Sequence, residues 1–198
     1  IAVVELSSFQ LMDMTRSPGR AVVTNLSPNH LDVHKDMEEY VQAKKNIFAF
    51  QGENDKLILN LDNGITNTFL GNGITRWFSR VGKTDNGICL DGDWIVRDGE
   101  KVLDTKEIVI PGVHNIENYM AAICAVWGTT SAESIRGFAR AFGGVAHRCE
   151  LVRERLNVRW YNDSIGSSPS RTIAGLKAFT QKVILIAGGY DKHIPYDP

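Results

Sequence analysis

The sequence predicts an α/β protein in which a parallel sheet with helices is joined to an antiparallel β portion. The runs "IAVVE" and "RAVVTNLS" are rich in valine and end in polar residues, which is typical of strands that a parallel sheet buries on both faces. Apolar residues then recur at helical spacing over residues 37–50, after Asp36 as a predicted N-cap. Residues 57–110 alternate instead with a period of two, and the pairs Asp91-Gly92 and Asp98-Gly99 indicate hairpin turns.

Two helices are predicted after this β portion. The segment "HNIENYMAAICAVWG" is apolar enough to be a mostly buried helix, and Gly128 ends it. The next helix is "AESIRGFARAF", for which Thr130 and Glu133 form a predicted capping box.

A domain boundary is predicted where Gly143-Gly144 breaks the helical pattern, so that residues 1–144 form one domain and residues 145–198 a second. The second begins with a strand "NVRWYN", a helix "SRTIAGLKAF" and a strand "KVILIA", which predict one βαβ unit. Ligands of parallel sheets bind beyond the carboxyl ends of the strands, where Asp163 and Lys192 fall.

Composition excludes several classes of protein. The net charge of −1 offers no basic excess for nucleic acid, and the apolar runs are too short to span a bilayer. Without a secretory signal pattern we expect a cytoplasmic protein, whose three distant cysteines are reduced. Because the chain opens inside an apolar run without Met and stops soon after a predicted strand, we expect an excised piece with an incomplete site.

Three residues near the first two predicted strands suggest a metal site. Glu5 and His30 follow these strands and could converge on one divalent ion, or both could be solvated loop residues. Lys44 lies within the apolar stripe of the first predicted helix, whereas Lys45 lies at its margin. A desolvated lysine has a lowered pKa and can add carbon dioxide to form an anionic carbamate, which suits Mg²⁺. The alternative is that Lys44 extends its ammonium to water.

Polar residues in three later segments are candidates for binding a nucleotide or an anion. Asn115 and Asn118 share one helix face and either read a purine edge or act as caps. Arg148, at the predicted boundary, either reaches a phosphate or forms a surface ion pair. The segments "NDSIGSSPS", with Asp163 ahead of a helix, and "GGYDK", with Lys192, are either an anion-binding edge or ordinary turns.

Seven motifs occur in the order found in one enzyme family. They cover nearly the whole chain and read "ELSSFQL", "TNLSPNHLDVH", "YVQAKKNIF", "HNIENYMAA", "AHRCE", "NDSIGSSPSRTIAGL" and "IAGGYDK". Together they resemble the Mur ligases of peptidoglycan synthesis. The resemblance implies most of a central ATPase domain followed by the start of a Rossmann-like C-terminal domain. "SSFQL" and "GGYDK" favour the members that add D-glutamate over those that form the tripeptide.

The resemblance also implies roles for individual residues. Glu5, His30 and Lys44 become the catalytic magnesium-site residues, with Lys44 as the carbamylated lysine that bridges to the metal. The remaining roles are ATP binding for Asn115, Asn118, Arg148 and Asp163, D-glutamate binding for Lys192, and contact with the substrate channel for Ser7 and Gln10.

The implied activity is ATP-dependent amide formation between UDP-N-acetylmuramoyl-L-alanine and D-glutamate through an acyl phosphate, in a monomeric enzyme. The family's GxxxxGK[ST] phosphate loop does not occur in the 198 residues, so the roles describe the parent enzyme. The alternatives are another Mur ligase, a folylpolyglutamate synthase-like ligase, or a fragment that is not catalytic in isolation.

Overall fold

A computed structural model describes residues 1–27, 34–166 and 169–189. The helices are α1 Ser8–Met12, α2 Met37–Ala49, α3 Val113–Val126, α4 Ala132–Ala141 and α5 Pro169–Leu176. The strands are β1 Arg20–Val23, β2 Lys56–Asn60, β3 Ile74–Ser79, β4 Gly87–Asp91, β5 Trp94–Arg97, β6 Glu100–Asp104, β7 Glu150–Arg155 and β8 Val158–Asn162.

The first six strands form one sheet in sequence order, which confirms the predicted α/β class. β1 to β4 pair in parallel, and β4, β5 and β6 pair antiparallel, so the two predicted portions belong to a single sheet. The hairpin between β5 and β6 turns at Asp98 and Gly99, whose φ angles of 50° and 81° are those of a type I′ turn. A separate antiparallel hairpin pairs β7 with β8.

The sheet buries both faces because its central strands are apolar at successive positions. Leu57 and Leu59 pack with α2 on one face, while Ile58 between them packs with α3 on the other. Successive side chains of a strand point to opposite faces, so the run "KLIL" serves both layers at once. The two helical layers are therefore separated by the sheet.

The two apolar segments at the ends of the chain are not strands, so the sequence prediction is wrong there. Residues 1–6 and 182–187 have no regular secondary structure, and Val3 and Ile184 are each 95% exposed. A strand needs a hydrogen-bonded neighbour, and neither segment pairs with any strand that the structure describes. Of the predicted βαβ unit, the helix (α5) and the first strand (β8) are present, but β8 pairs antiparallel with β7 and not in a parallel sheet.

The helices α2, α3 and α4 begin and end within two residues of their predicted bounds, whereas α1 was not predicted and α5 ends at Leu176, three residues before the predicted end. Asp36 caps α2 by accepting a hydrogen bond from the Glu39 backbone at 2.9 Å. The cap of α4 is Ser131, whose hydroxyl accepts from the Ser134 backbone at 3.2 Å, and not the predicted Thr130. Within the described ranges, no helix is both long and apolar enough to cross a bilayer.

Candidate functional site

Lys44 points from the middle of α2 toward the segment that precedes α1. Its Nζ donates a hydrogen bond to the carbonyl oxygen of Leu6 at 3.4 Å and lies 6.0 Å from the centroid of the Tyr40 ring. Burial lowers the pKa of the ammonium, while the nearby carboxylate of Glu5 acts in the opposite direction. The structure thus places the Lys44 ammonium next to the segment that carries Glu5, close enough for the Glu5 carboxylate to act on its pKa.

The neighbouring lysine has different surroundings. The Nζ of Lys45 lies 5.1 Å from the centroid of the Phe69 ring, on the side of α2 that packs against the sheet. Residues adjacent in a helix point about 100° apart, so only one of the two can face the Glu5 segment. That residue is Lys44.

A buried histidine that was not among the predicted site residues connects α1 with α2, close to Lys44. His34 is 2% exposed, and its Nε2 lies 2.9 Å from the hydroxyl oxygen of Ser8 in α1. Its ring stacks on Phe9 with centroids 5.4 Å apart, and its Nδ1 lies 3.7 Å from a carboxylate oxygen of Glu39. His34 therefore ties the start of α2 to the start of α1, next to the segment that carries Glu5. The only sequence signal was its place in the motif "TNLSPNHLDVH".

Ser7 and Gln10 form the capping box of α1. The Ser7 hydroxyl accepts from the Gln10 backbone at 3.4 Å, and the Gln10 side-chain oxygen accepts from the Ser7 backbone at 2.8 Å. Both residues are exposed. In this structure they fix the helix start, directly after the Leu6 carbonyl that Lys44 contacts.

Two of the predicted site residues, His30 and Lys192, lie outside the described residues. Among the residues that the structure does describe, no cluster of three His, Cys, Asp or Glu side chains is arranged to hold a metal ion. Of the three residues predicted to form a magnesium site, the structure describes Glu5 and Lys44.

Asn115 and Asn118 lie on one face of α3 near its start, as predicted. Asn118 Nδ2 donates to the side-chain oxygen of Asn115 at 3.3 Å, and Asn115 Nδ2 donates to the Pro111 carbonyl at 2.6 Å. Arg80, which follows β3, pairs with Glu117 at 2.8 Å and ties the start of α3 to the carboxyl end of the sheet. The two amides thus lie at the edge where parallel sheets bind ligands.

Arg148 and Asp163 lie on two segments that hydrogen bonds hold together. Asp163 Oδ1 accepts from the Cys149 backbone at 3.0 Å, and Asn162 Nδ2 lies 2.9 Å from Nδ1 of His147. His147 and Cys149 have φ angles of 65° and 45°, a left-handed conformation that costs energy in residues other than glycine. Arg148 lies between them, is exposed and forms no ion pair with the described residues. These hydrogen bonds hold the backbone on either side of Arg148, and its exposed side chain extends from that segment.

Comparison with known proteins gives the context for this geometry. Residues 1–126 match the family model described as the Mur ligase middle domain. The UDP-N-acetylmuramoylalanine--D-glutamate ligase of Acetivibrio thermocellus is 59% identical over 201 residues, covering 98% of this chain and 43% of the relative. The enzyme of the same name from Clostridium kluyveri is 56% identical over 197 residues, with the same coverage of both chains. The chain thus spans less than half the length of these relatives.

Solved structures show the same fold at much lower identity. UDP-N-acetylmuramate-alanine ligase MurC from Thermotoga maritima has a TM-score of 0.65 and 18% identity, covering 87% of this chain and 40% of that one. MurF from Acinetobacter baumannii has a TM-score of 0.61 and 14% identity, covering 84% of this chain and 38% of that one. At such identities the likeness concerns the fold alone, but the family match and the close relatives cover most of the chain. On that ground, the chain belongs to the Mur ligase family.

Proposed function

We propose that this chain supplies the central ATPase domain, in part, and the start of the C-terminal domain of an ATP-dependent ligase that adds D-glutamate to UDP-N-acetylmuramoyl-L-alanine. The names of relatives at 56% and 59% identity support the substrates. The boundary between the domains lies at Gly144, where the second sheet has not yet begun. The enzyme is monomeric and cytoplasmic.

The observation that carries the mechanism is the half-buried Lys44 ammonium against the Glu5 segment. Because burial lowers its pKa, more of the amine is neutral than in a solvated lysine. The neutral amine adds to carbon dioxide, so that an N–C bond forms and one proton passes to water. The product is a carbamate anion, which replaces a costly buried cation.

The donor set beside Lys44 fits a hard cation such as Mg²⁺. The Glu5 carboxylate, the Leu6 carbonyl and the carbamate offer oxygen ligands, which Mg²⁺ prefers, and His30 is the further predicted ligand. When bound, the ion offsets the negative charge gathered between a carboxylate and the phosphates of ATP.

The reaction proceeds in two steps. The carboxylate of the UDP-sugar attacks the γ-phosphorus of ATP, which forms an acyl phosphate and releases ADP. The amine of D-glutamate then attacks the acyl carbon, releases phosphate and forms the amide. This chain's residues bind and orient: Asn115 and Asn118 hold the base, Arg148 and Asp163 hold the nucleotide at the domain boundary, and Lys192 holds the D-glutamate carboxylate. Ser7 and Gln10 line the channel through the helix start that they cap.

The test is D-glutamate-dependent phosphate release by the full-length ligase that contains this chain. Lys44→Ala should lower the rate by about a hundredfold or more, since the loss of one charged group that stabilises the transition state costs on this scale. A short carboxylic acid should restore part of it by occupying the place of the carbamate. Lys45→Ala is the matched control and should keep its activity. If Lys44→Ala had normal activity and Lys45→Ala were inactive, the assignment to Lys44 would be wrong.

A further inference from the structure

A row of basic side chains crosses the sheet at the edge opposite to the candidate site. Arg20 and Lys56, the first residues of β1 and β2, are register partners. Arg76 in β3 is the register partner of Ile58, which lies two residues after Lys56 in β2. Arg76 and Lys56 therefore point to the same face of the sheet. Arg97, the last residue of β5, completes the row on the face that α3 covers. Like charges on neighbouring strands repel, so this arrangement costs stability unless an anion offsets it.

Three of these cations line one small cavity. Lys56, Arg76 and Arg97 form its polar walls, and Cys124 and Trp127, at the end of α3, cover it. Its volume is about 40 Å³. A single water needs roughly 10–15 Å³ by this measure, so the cavity has room for one small polyatomic ion and not for a nucleotide.

Among the described residues, two of the cations differ from the other two in having no hydrogen-bond or ion-pair partner. Arg20 donates to the Ala125 carbonyl at 2.8 Å and so complements the negative end of α3. Arg97 pairs with Asp98 at 3.1 Å and stacks over the Trp127 ring at 4.5 Å. The side chains of Lys56 and Arg76 form no ion pair or hydrogen bond with the residues that the structure describes.

The cysteine in the cavity wall does not supply the missing negative charge. Burial raises the pKa of the Cys124 thiol to about 11, even though Arg97, Arg76 and Lys56 each act to lower it. The thiol is therefore protonated at neutral pH and acts as an apolar wall. Within the part of the chain that the structure describes, Asp98 pairs with Arg97, and no carboxylate pairs with Lys56 or Arg76. An anion from solution can supply the counter-charge of these two cations.

We propose that the cavity binds one tetrahedral oxyanion, inorganic phosphate, between Lys56 and Arg76, with the Arg97 guanidinium as a third donor. Guanidinium and ammonium groups that line one cavity are suited to bind phosphate oxygens. The site is separate from the nucleotide residues. Asn115 and Cys124 lie nine residues apart in α3, which corresponds to about 14 Å along the helix axis.

Equilibrium dialysis of the purified protein against radiolabelled phosphate, with ionic strength fixed by potassium chloride, tests this site. We expect saturable binding of one phosphate per chain. Substituting both partnerless cations, Lys56→Gln with Arg76→Gln, should weaken binding about tenfold or more, because each removes a charge-assisted hydrogen bond. Lys83→Gln is the matched control, since it removes one exposed positive charge from the loop between β3 and β4 and should leave binding unchanged.

Competition and a second set of variants decide among the other outcomes. Sulfate should displace the label, and AMP should not, because a nucleotide exceeds the cavity. If the double variant fails to fold by circular dichroism, each single variant should still weaken binding. Absence of saturable binding, displacement by AMP, or loss of binding in Arg148→Gln with binding retained in the double variant would each show that the proposal is wrong.

Discussion

At the scale of single residues, the chemistry of the candidate site depends on how α2 orients one lysine. Lys44 faces the Glu5 segment because it shares the helix face of Tyr40 and Phe48, four residues to either side. Burial lowers its pKa and favours the neutral amine, and the carboxylate of Glu5 limits this effect. An unreacted ammonium at this position therefore costs stability, and the proposed carbamate, paired with a cation, would recover it.

The unmodified protein should show this cost as a pH-dependent stability. A group whose pKa is lower in the folded state binds fewer protons there, so stability rises with pH up to the ordinary lysine pKa of 10.5. Measured without carbonate, Lys44→Met should have a higher free energy of unfolding than the wild type at neutral pH, and the difference should shrink as the pH approaches 10.5. Urea unfolding at a series of pH values measures it.

The control for this prediction keeps a permanent charge. Arginine remains protonated throughout the range, so the stability difference between Lys44→Arg and Lys44→Met should not narrow as the pH rises. If the difference in free energy of unfolding between Lys44→Met and the wild type widened as the pH rises, burial would not be the cause that sets the pKa of Lys44.

The sequence predicted some residues of the site and missed others for a physical reason. The position of Lys44 follows from local helical periodicity, which the sequence contains. The partner of His34 is Ser8, 26 residues away, and that contact depends on how α1 packs against α2. Likewise, Arg148 was visible in "AHRCE", but the hydrogen bonds of its neighbours His147 and Cys149 to Asn162 and Asp163 form only when two loops meet.

At the scale of elements, the position of the candidate nucleotide residues depends on how α3 begins. Gly112, its N-cap, has a φ of 102°, which L-residues rarely adopt. A Cβ there would lie 2.6 Å from the His114 ring and 3.2 Å from Cβ of Ala178. The glycine thus allows the end of α5 to approach the start of α3, where Asn115 lies.

Alanine substitutions at two glycines should have opposite effects on stability. Gly112→Ala combines strain with a clash, so it should lower the free energy of unfolding by about 1–3 kcal/mol. Gly137 lies inside α4, where a Cβ would meet no other atom within 4 Å. Gly137→Ala should therefore raise the free energy of unfolding by about 0.5–1 kcal/mol. Urea unfolding of both variants measures these effects. An unchanged free energy of unfolding in Gly112→Ala would show that the start of α3 does not require glycine.

The sequence predicted helix caps and turns correctly where neighbouring residues alone determine them. Asp36 as the cap of α2 and the Asp98-Gly99 turn follow from the residues themselves. At α4 two adjacent hydroxyls, Thr130 and Ser131, both suit an N-cap, and the sequence does not distinguish them. The apolar ends of the chain read as strands because their composition suits a sheet, but composition does not supply the neighbour that a strand requires.

At the scale of the whole molecule, the sheet separates the proposed functions. The nucleotide residues lie at the carboxyl edge, beside the loops that lead to β7 and β8. The basic cavity lies at the opposite edge, under the end of α3. The Lys44 region lies on the other face, where α1 and α2 pack.

The two proposed cationic ligands should affect different substrates of the full-length ligase. Arg148→Gln should raise the KM for ATP by roughly tenfold to a hundredfold and leave the KM for D-glutamate unchanged, because a charge-assisted hydrogen bond contributes about 1.5–3 kcal/mol. Lys192→Ala should do the reverse. Titrating each substrate separately on both variants measures the effects. Equal changes in both KM values would mean that neither residue has the assigned role.

The most direct test of the central claim is the detection of carbon dioxide on Lys44. The full-length ligase is equilibrated with isotopically labelled bicarbonate and Mg²⁺, and the carbonyl carbon of a carbamate is sought by NMR. We expect one carbamate signal in the wild type and in Lys45→Ala, and none in Lys44→Ala. A wild-type spectrum without the signal, or a signal that persists in Lys44→Ala, would contradict the account.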